Sequence, residues 1–217
     1  MGLRINDIVP NFTAATDQGE ITFHDWIGDS WAILFSHPKD FTPVCTTEFG
    51  AVAQLAEEWE KRNTKVIGLS VDGVDEHVQW KADIEGYSGA KAGFPIIADE
   101  DLAVSKAFDM LPAEAYLPDG RTAADSASVR SVFIISPDKK VQLIMTYPMS
   151  VGRNFAEVLR ALDGLQATFG NPIATGANWE VGQDVIVALS LTDDEAKEKF
   201  GEVDIKLPYL RTTKFQG

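Results

Sequence analysis

The spacing of apolar residues along the chain predicts alternating strands and helices. Short apolar runs bounded by turn residues are typical of buried strands, and they cover residues 31–35, 65–71 and 94–98. Apolar residues recur every three or four positions in the segments between and after them, which predicts helices over residues 45–62, 75–86 and 102–108. Because parallel strands need crossovers and helices provide them, the pattern predicts an α/β core with a mixed sheet.

The second half of the core carries two β-rich runs and a long helical pattern. Residues 130–136 and 141–147 flank the turn sequence Pro137-Asp-Lys-Lys140 and predict an antiparallel hairpin. Residues 154–169 follow, with one apolar stripe, and Gly170-Asn-Pro172 ends that helix. The order of elements is typical of a thioredoxin-like fold.

A smaller region lies beyond this last helix of the core. It contains an apolar run at residues 184–189, which predicts a strand, and an acidic stretch at residues 192–200. We therefore divide the chain into a first domain of residues 1–169 and a C-terminal domain of residues 170–217.

Composition and charge exclude several classes of protein. With 45% hydrophobic and 24% charged residues, the chain has the composition of a globular protein. Its 19 basic and 33 acidic residues give a net charge of −14, which repels nucleic acids and anionic membranes. No apolar run approaches the roughly 20 residues that cross a bilayer. The N-terminal residues 1–7 lack a signal-peptide pattern, so we expect a cytoplasmic protein.

Cys45 is the only cysteine in the sequence. It cannot form an intrachain disulfide, and a thiolate metal site usually takes two or more such ligands, so we expect no metal site. It falls in the first turn of a predicted helix, where unpaired backbone N–H groups favour the thiolate over the thiol. The alternative is a small hydrophobic side chain in the core.

A reactive thiolate at this position needs a cation nearby. A fall in thiol pKa from about 8.5 to about 6 corresponds to about 3.4 kcal/mol, whereas a helix terminus contributes at best about 2 kcal/mol. Two arginines are candidates. Arg130 opens an apolar strand, and Arg153 stands at the start of the last core helix, where a cation opposes the helix dipole.

The segment Ser36-His-Pro-Lys-Asp-Phe-Thr-Pro-Val-Cys-Thr-Thr-Glu48 resembles the peroxidatic motif P-x-x-x-T-x-x-C of peroxiredoxins. Pro38, Thr42 and Cys45 match its positions. The resemblance extends over nearly the whole chain and is to the one-cysteine class. It implies a thioredoxin-like peroxidase domain with a small α+β extension at the C-terminus, and it implies no cofactor.

The resemblance also implies roles for the residues of the motif. Cys45 would attack the terminal oxygen of hydrogen peroxide or an organic hydroperoxide and become a sulfenic acid. The Thr42 hydroxyl would hold the peroxide, Arg130 would be the active-site arginine, and Pro38 would shield the sulfur from water.

Three further residues match positions near such a pocket. His37 would contact peroxide or the reductant, and Arg153 would lie near the pocket. Glu48 would either orient an arginine or lie on a solvated helix face. Since the chain has no second thiol, the sulfenic acid would be reduced by an external thiol, for which glutathione is the family-level expectation, or by Cys45 of another subunit. A homodimer or larger homo-oligomer is implied, with the C-terminal domain at the dimer contact.

Two other functions stay open at this point. One is a chaperone-like binding module in which Cys45 only fills space. The other is serine-dependent phospholipid hydrolysis, because Gly28-Asp-Ser-Trp-Ala32 resembles a G-x-S-x-G segment in which Ala32 replaces the last glycine. His24, Ser30 and Asp138 would form its triad, although a loop before a strand explains the segment equally. His77, in a polar helical segment, is predicted to lie on the surface.

Overall fold

The structure is a computed structural model that describes residues 2–113 and 127–215. The chain divides into two compact units, Met1–Arg153 and Asn154–Gly217. This division falls before the helix at Phe155–Thr168, whereas the apolar pattern placed that helix in the first domain. The helix contacts the strand at Ile173–Ala174, and Arg160 donates a hydrogen bond to the carbonyl of Trp179, so its contacts group it with the second unit.

The first unit is built on a mixed sheet, as predicted. Its seven described strands are Thr13–Thr16 (β1), Gly19–Thr22 (β2), Trp31–Ser36 (β3), Thr64–Ser70 (β4), Ile96–Ala98 (β5), Arg130–Ile135 (β6) and Val141–Tyr147 (β7). They lie in the order β2-β1-β5-β4-β3-β6-β7. The central strands β3, β4 and β5 are parallel, while β6 pairs antiparallel with both β3 and β7. The predicted hairpin is therefore the β6–β7 pair.

The described helices of the first unit connect these strands. They are Phe23–Ile27 (α1), Pro43–Gln54 (α2), Ala56–Lys61 (α3), Val74–Ser88 (α4) and Ala103–Ala107 (α5). The single helix predicted over residues 45–62 is thus two helices. Leu55 separates them, and the carbonyl of Val52 there accepts hydrogen bonds from the Leu55 N–H and from the indole of Trp59.

The second unit begins with α6, Phe155–Thr168, and contains a small antiparallel sheet. Its strands are Ile173–Ala174 (β8), Val185–Val187 (β9), Asp204–Leu207 (β10) and Leu210–Thr213 (β11), and the acidic stretch forms α7, Asp193–Phe200. Thr192 and Glu195 form a capping box at the start of α7, which explains why so acidic a segment is helical. Every residue of β10 is exposed, so it lacks the alternating pattern by which a strand is recognised.

None of the helices within residues 2–113 and 127–215 is both long and apolar enough to cross a membrane.

Gly68 in the middle of β4 allows α2 to pack closely on the sheet. A Cβ at this position would lie 2.8 Å from Cζ of Phe49, a fully buried ring of α2. The Phe49 ring also contacts Phe35 of β3 and Trp80 of α4, with centroid distances of 4.8 and 4.7 Å. The absence of a side chain at Gly68 therefore sets the distance between α2 and the sheet.

We expect Gly68→Ala to lower the free energy of unfolding by about 1–3 kcal/mol, because the added methyl group overpacks the ring of Phe49. Gly86→Ala is the matched control: Gly86 lies within α4 with no atom within 4 Å of a new Cβ, so alanine should stabilise by about 0.5–1 kcal/mol. Urea unfolding of both variants measures the difference. Equal effects would show that Gly68 does not set the packing of α2.

Candidate active site

Cys45 lies in the first turn of α2, as the sequence pattern predicted. Pro43 is at the first helical position, and Thr42 precedes it in an extended conformation with φ −118° and ψ 146°. Proline suits this position because its missing N–H would have no partner within the helix. The Thr42 hydroxyl donates to the carbonyl of Lys39 at 2.8 Å, so its side chain braces the turn that precedes the helix.

Arg130, the first residue of β6, brings a positive charge to the sulfur. Its Nη1 lies 3.4 Å from Sγ of Cys45, and both side chains are buried, with the thiol 0% exposed. Nε of Arg130 donates to the carbonyl of Met149 at 2.8 Å, which fixes the plane of the guanidinium. The cation that the energetic argument required is therefore in direct contact with the thiol.

Glu48, one turn after Cys45, lies between two arginines and not on a solvated face. It is 3% exposed and accepts a hydrogen bond from Nη1 of Arg130 at 2.6 Å. Arg153 donates to it from the backbone N–H, from Nε and from Nη2, at 2.8, 2.9 and 2.7 Å. Burial raises the pKa of Glu48, but the bonds and charge of Arg153 and the charge of Arg130 outweigh it and lower the pKa. The carboxylate is therefore ionised.

Among the described side chains that contact one another here, the formal charges sum to +1 before the sulfur is counted. Arg130 and Arg153 carry two charges, and Glu48 neutralises one of them. The guanidinium of Arg130 thus lies where its charge could pair with a negative sulfur. Such a cluster holds a nucleophile and also places a guanidinium where negative charge would develop on a leaving oxygen.

His37 and Pro38 follow β3 and lead into the loop before Cys45, and both are buried. Nε2 of His37 lies 2.6 Å from Oδ1 of Asp40, and its ring packs on Trp80, with the centroids 5.0 Å apart. Burial lowers the pKa of His37, although Asp40 opposes this effect. His37 thus faces the protein interior in this structure, in contact with a carboxylate.

The prediction that His77 lies on the surface is wrong. Its ring is 0% exposed, and its Nδ1 lies 2.6 Å from Oδ2 of Asp40. His77, Trp80 and Ile84 are the buried residues of α4, and their three- and four-residue spacing is the signal that could have identified His77 as buried. Sequence reasoning also missed Asp40, because its contact with His77 of α4 joins residues 37 positions apart.

The oxygens of Asp40 and of its neighbour Asp72 already accept hydrogen bonds. Ligand atoms of His37, Asp40 and Asp72 lie within 4.8 Å of one another, a spacing that could hold a metal ion. However, two histidine nitrogens bind Asp40, while Oδ2 of Asp72 accepts from the Asp40 N–H at 2.8 Å and from the Ser70 hydroxyl at 2.9 Å. The cluster is therefore a connected hydrogen-bond network.

The residues of the alternative hydrolase triad each have other partners. The Ser30 hydroxyl donates to Oδ1 of Asn63 at 3.0 Å, and Nε2 of His24 lies 2.9 Å from the carbonyl of Val9. Asp138 accepts from Ser136 and Lys140 in its own turn. No hydrogen bond among the described residues joins Ser30, His24 and Asp138, so the geometry does not favour hydrolysis.

Comparison with known proteins shows the family of the chain. The model of the AhpC/TSA family matches residues 5–144. Peroxiredoxin-6 of Rattus norvegicus is 49% identical over 223 residues, covering 98% of this chain and 97% of its own length.

Two solved structures are also similar over nearly the whole chain. The C45S mutant of peroxiredoxin 6 of Arenicola marina has a TM-score of 0.90 and 42% identity, covering 98% of both chains. The yeast mitochondrial 1-Cys peroxiredoxin, solved in a study of thiol resolution via glutathione and thioredoxin systems, has a TM-score of 0.87 and 49% identity, covering 98% of this chain and 100% of the other. With this identity over nearly its full length, the chain belongs to the AhpC/TSA family and is a peroxiredoxin, a thiol peroxidase whose redox centre is Cys45.

Proposed function

We propose that the Cys45 thiolate reduces peroxides by attacking their terminal oxygen. An S–O bond forms as the O–O bond breaks, the sulfur is oxidised to a sulfenic acid, and the leaving oxygen takes a proton to become water or an alcohol. The contact of 3.4 Å between Nη1 of Arg130 and Sγ is the observation that carries this proposal.

Arg130 acts in two ways in this mechanism. Its charge stabilises the thiolate before reaction, and its N–H groups stabilise the negative charge that develops on the leaving oxygen. Glu48 holds the guanidinium in place, and Arg153 acts through Glu48, because its described side-chain bonds go to that carboxylate and to the carbonyl of Ser131. Glu48 and Arg153 are therefore positioning residues.

The residues before Cys45 form the mouth of the site in this proposal. Thr42 is the helix cap, with a hydroxyl oxygen that can accept a hydrogen bond from a peroxide while donating to Lys39. Pro38 is buried and limits access of water. Because Cys45 is fully buried in this conformation, hydrogen peroxide and small organic hydroperoxides fit better than bulky substrates. His37 remains a candidate for peroxide or reductant contact.

The sulfenic acid requires an external thiol, for which we propose glutathione. The sequence holds one cysteine, so no second thiol in the same chain can form a disulfide with it. A first glutathione would condense with the sulfenic acid to give a mixed disulfide and water, and a second would release Cys45 and oxidised glutathione. The yeast relative described above was solved in the context of glutathione and thioredoxin systems, which supports this class of reductant.

A homodimer is the assembly that we propose. β7 is at the edge of the large sheet, and an edge strand can pair with a second copy. The second unit exposes the apolar side chains of Leu189, Ile205 and Tyr209, which supports a role in the dimer contact. The cytoplasmic location remains a prediction.

Cys45→Ser should reduce peroxide consumption by at least about 1,000-fold, because serine retains the shape of the side chain without its nucleophilicity. Consumption of hydrogen peroxide in the presence of glutathione measures the loss, and circular dichroism verifies the fold. Retained activity in the folded variant would refute Cys45 as the nucleophile and would leave the binding-module interpretation open.

Arg130→Met should move the pH profile of Cys45 alkylation by iodoacetamide upward by about one unit or more, since loss of a contacting cation destabilises the thiolate. Arg62→Met is the control, because Arg62 pairs with Glu58 at the end of α3 and its loss should leave the profile unchanged. An unshifted profile in Arg130→Met would remove this arginine from the mechanism.

One equivalent of hydrogen peroxide should add one oxygen to the mass of the intact protein, and subsequent glutathione should convert that species to a mixed disulfide. Mass spectrometry of the whole chain distinguishes these products from an interchain disulfide. An oxidised protein that glutathione leaves unchanged, but that a thioredoxin system reduces, would contradict glutathione as the reductant and leave the peroxidase step intact.

A further inference from the structure

The Asp40 carboxylate lies between two buried imidazoles. His37 and His77 contact its two oxygens, each at 2.6 Å, and none of the three side chains is more than 1% exposed. Burial raises the pKa of Asp40, but the two histidine bonds outweigh it and lower the pKa to about 2. The carboxylate is therefore charged at neutral pH and accepts both hydrogen bonds, so each contacting ring nitrogen carries a proton.

The second nitrogen of His77 also faces an acceptor. Its Nε2 lies 3.2 Å from the backbone carbonyl of Ile97, on β5. A carbonyl oxygen can only accept, and an imidazole satisfies two acceptors only when both nitrogens are protonated. The contacts on its two sides are both satisfied as hydrogen bonds when His77 carries a proton on each ring nitrogen.

His37 contacts an acceptor through only one of its ring nitrogens among the described residues. Its Nε2 donates to Asp40, but its Nδ1 is buried and has no hydrogen-bond partner among the described residues. A proton on Nδ1 would be an unpaired donor in the interior, next to a second cation whose ring centroid is 6.3 Å away. The described contacts are therefore satisfied with two ring protons on His77 and one on His37, and with Asp40 ionised the three groups then carry no net charge.

Asp40 also anchors the loop that carries the active-site residues. Its backbone N–H donates to Asp72 at 2.8 Å, and the next residue, Phe41, has a φ of +54°. A left-handed conformation is unfavourable for a phenylalanine and persists only where the surrounding structure imposes it. Asp40 is held on one side of this strained residue, and Thr42, the cap of α2, lies on the other side.

We propose that Asp40 is a positioning residue of the active site. Its carboxylate holds His77 as an imidazolium and thereby connects the loop before Cys45 to α4. The hydrogen bond to His77 of α4 keeps the chain at Asp40 in place, and the strained turn at Phe41 then directs Thr42 and the start of α2. The protonation states do not depend on the proposed function, whereas the effect on rate rests on it.

The protonation states can be measured by nitrogen-15 NMR of the histidines at neutral pH, in the Cys45→Ser protein so that oxidation does not intervene. Both nitrogens of His77 should be protonated, and only Nε2 of His37. His24, the third histidine of the chain, serves as a reference. An unprotonated nitrogen on His77, or a doubly protonated His37, would overturn the assignment whether or not the protein reduces peroxide.

The positioning role can be tested with two variants at the same site. Asp40→Ala removes the contact with α4 and should slow the reaction of Cys45 with hydrogen peroxide by about 10- to 100-fold. Asp40→Asn can still accept from His37 through its oxygen and donate to His77 through its amide, so its rate should stay within about threefold of wild type. In that variant His77 should become neutral, with Nδ1 unprotonated.

Asp99→Ala is the matched control, because Asp99 is a buried carboxylate that binds the backbone N–H groups of Val104 and Ser105 at the start of α5. Its loss should lower the melting temperature without slowing the reaction with peroxide. Rates are measured at a temperature where each variant is folded. The proposal would be contradicted if Asp40→Ala reacted at the wild-type rate, if Asp40→Asn were as slow as Asp40→Ala, or if Asp99→Ala lost as much rate. If Asp40→Ala does not fold, the NMR measurement decides the protonation states.

Discussion

The carboxylate of Glu48, held between the guanidiniums of Arg130 and Arg153, is the interaction on which the active site depends. It accepts hydrogen bonds from both guanidiniums, and Nη1 of Arg130 also contacts the sulfur of Cys45. Without Glu48 two buried guanidiniums would repel each other, and without Arg153 the carboxylate would compensate Arg130 and weaken the field at the thiol. In the part of the chain that the structure describes, the formal charges of this cluster sum to zero when the proposed thiolate is counted.

Both ends of the segment between β3 and the first turns of α2 are anchored by buried charges. Near its start, Asp40 contacts two histidines, one of which belongs to α4. Near its end, Glu48 contacts arginines that come from the β6–β7 hairpin and from the chain just after it. Cys45 lies between these anchors, in a helix that Gly68 allows to approach the sheet closely. Contacts with α4, with β6 and with the chain after β7 therefore hold the segment that carries the sulfur, although this segment begins as a loop after β3.

The errors of sequence reasoning have identifiable physical causes. The segment over residues 45–62 has one helical stripe, but a local change of backbone at Leu55 divides it, and such a break leaves no trace in the spacing of apolar residues. The apolar pattern does not predict β10, because a strand whose residues are all exposed has no buried face and no alternation of apolar and polar residues. His77 was placed on the surface because polar residues surround it, whereas it is buried by pairing with a carboxylate from another element.

The sequence by itself determined the alternation of strands and helices, the lone thiol at a helix start, the need for a cation, and the resemblance to peroxiredoxins. These features depend on local spacing and on short motifs, which can be read without knowing which elements touch. Only the tertiary structure showed that Arg130 contacts the sulfur, that Glu48 joins both arginines, and that Asp40 joins two histidines. The contact between Arg130 and Cys45 spans 85 positions of the chain, and hydrogen bonds between such distant residues follow from the pairing of strands and the packing of helices on them.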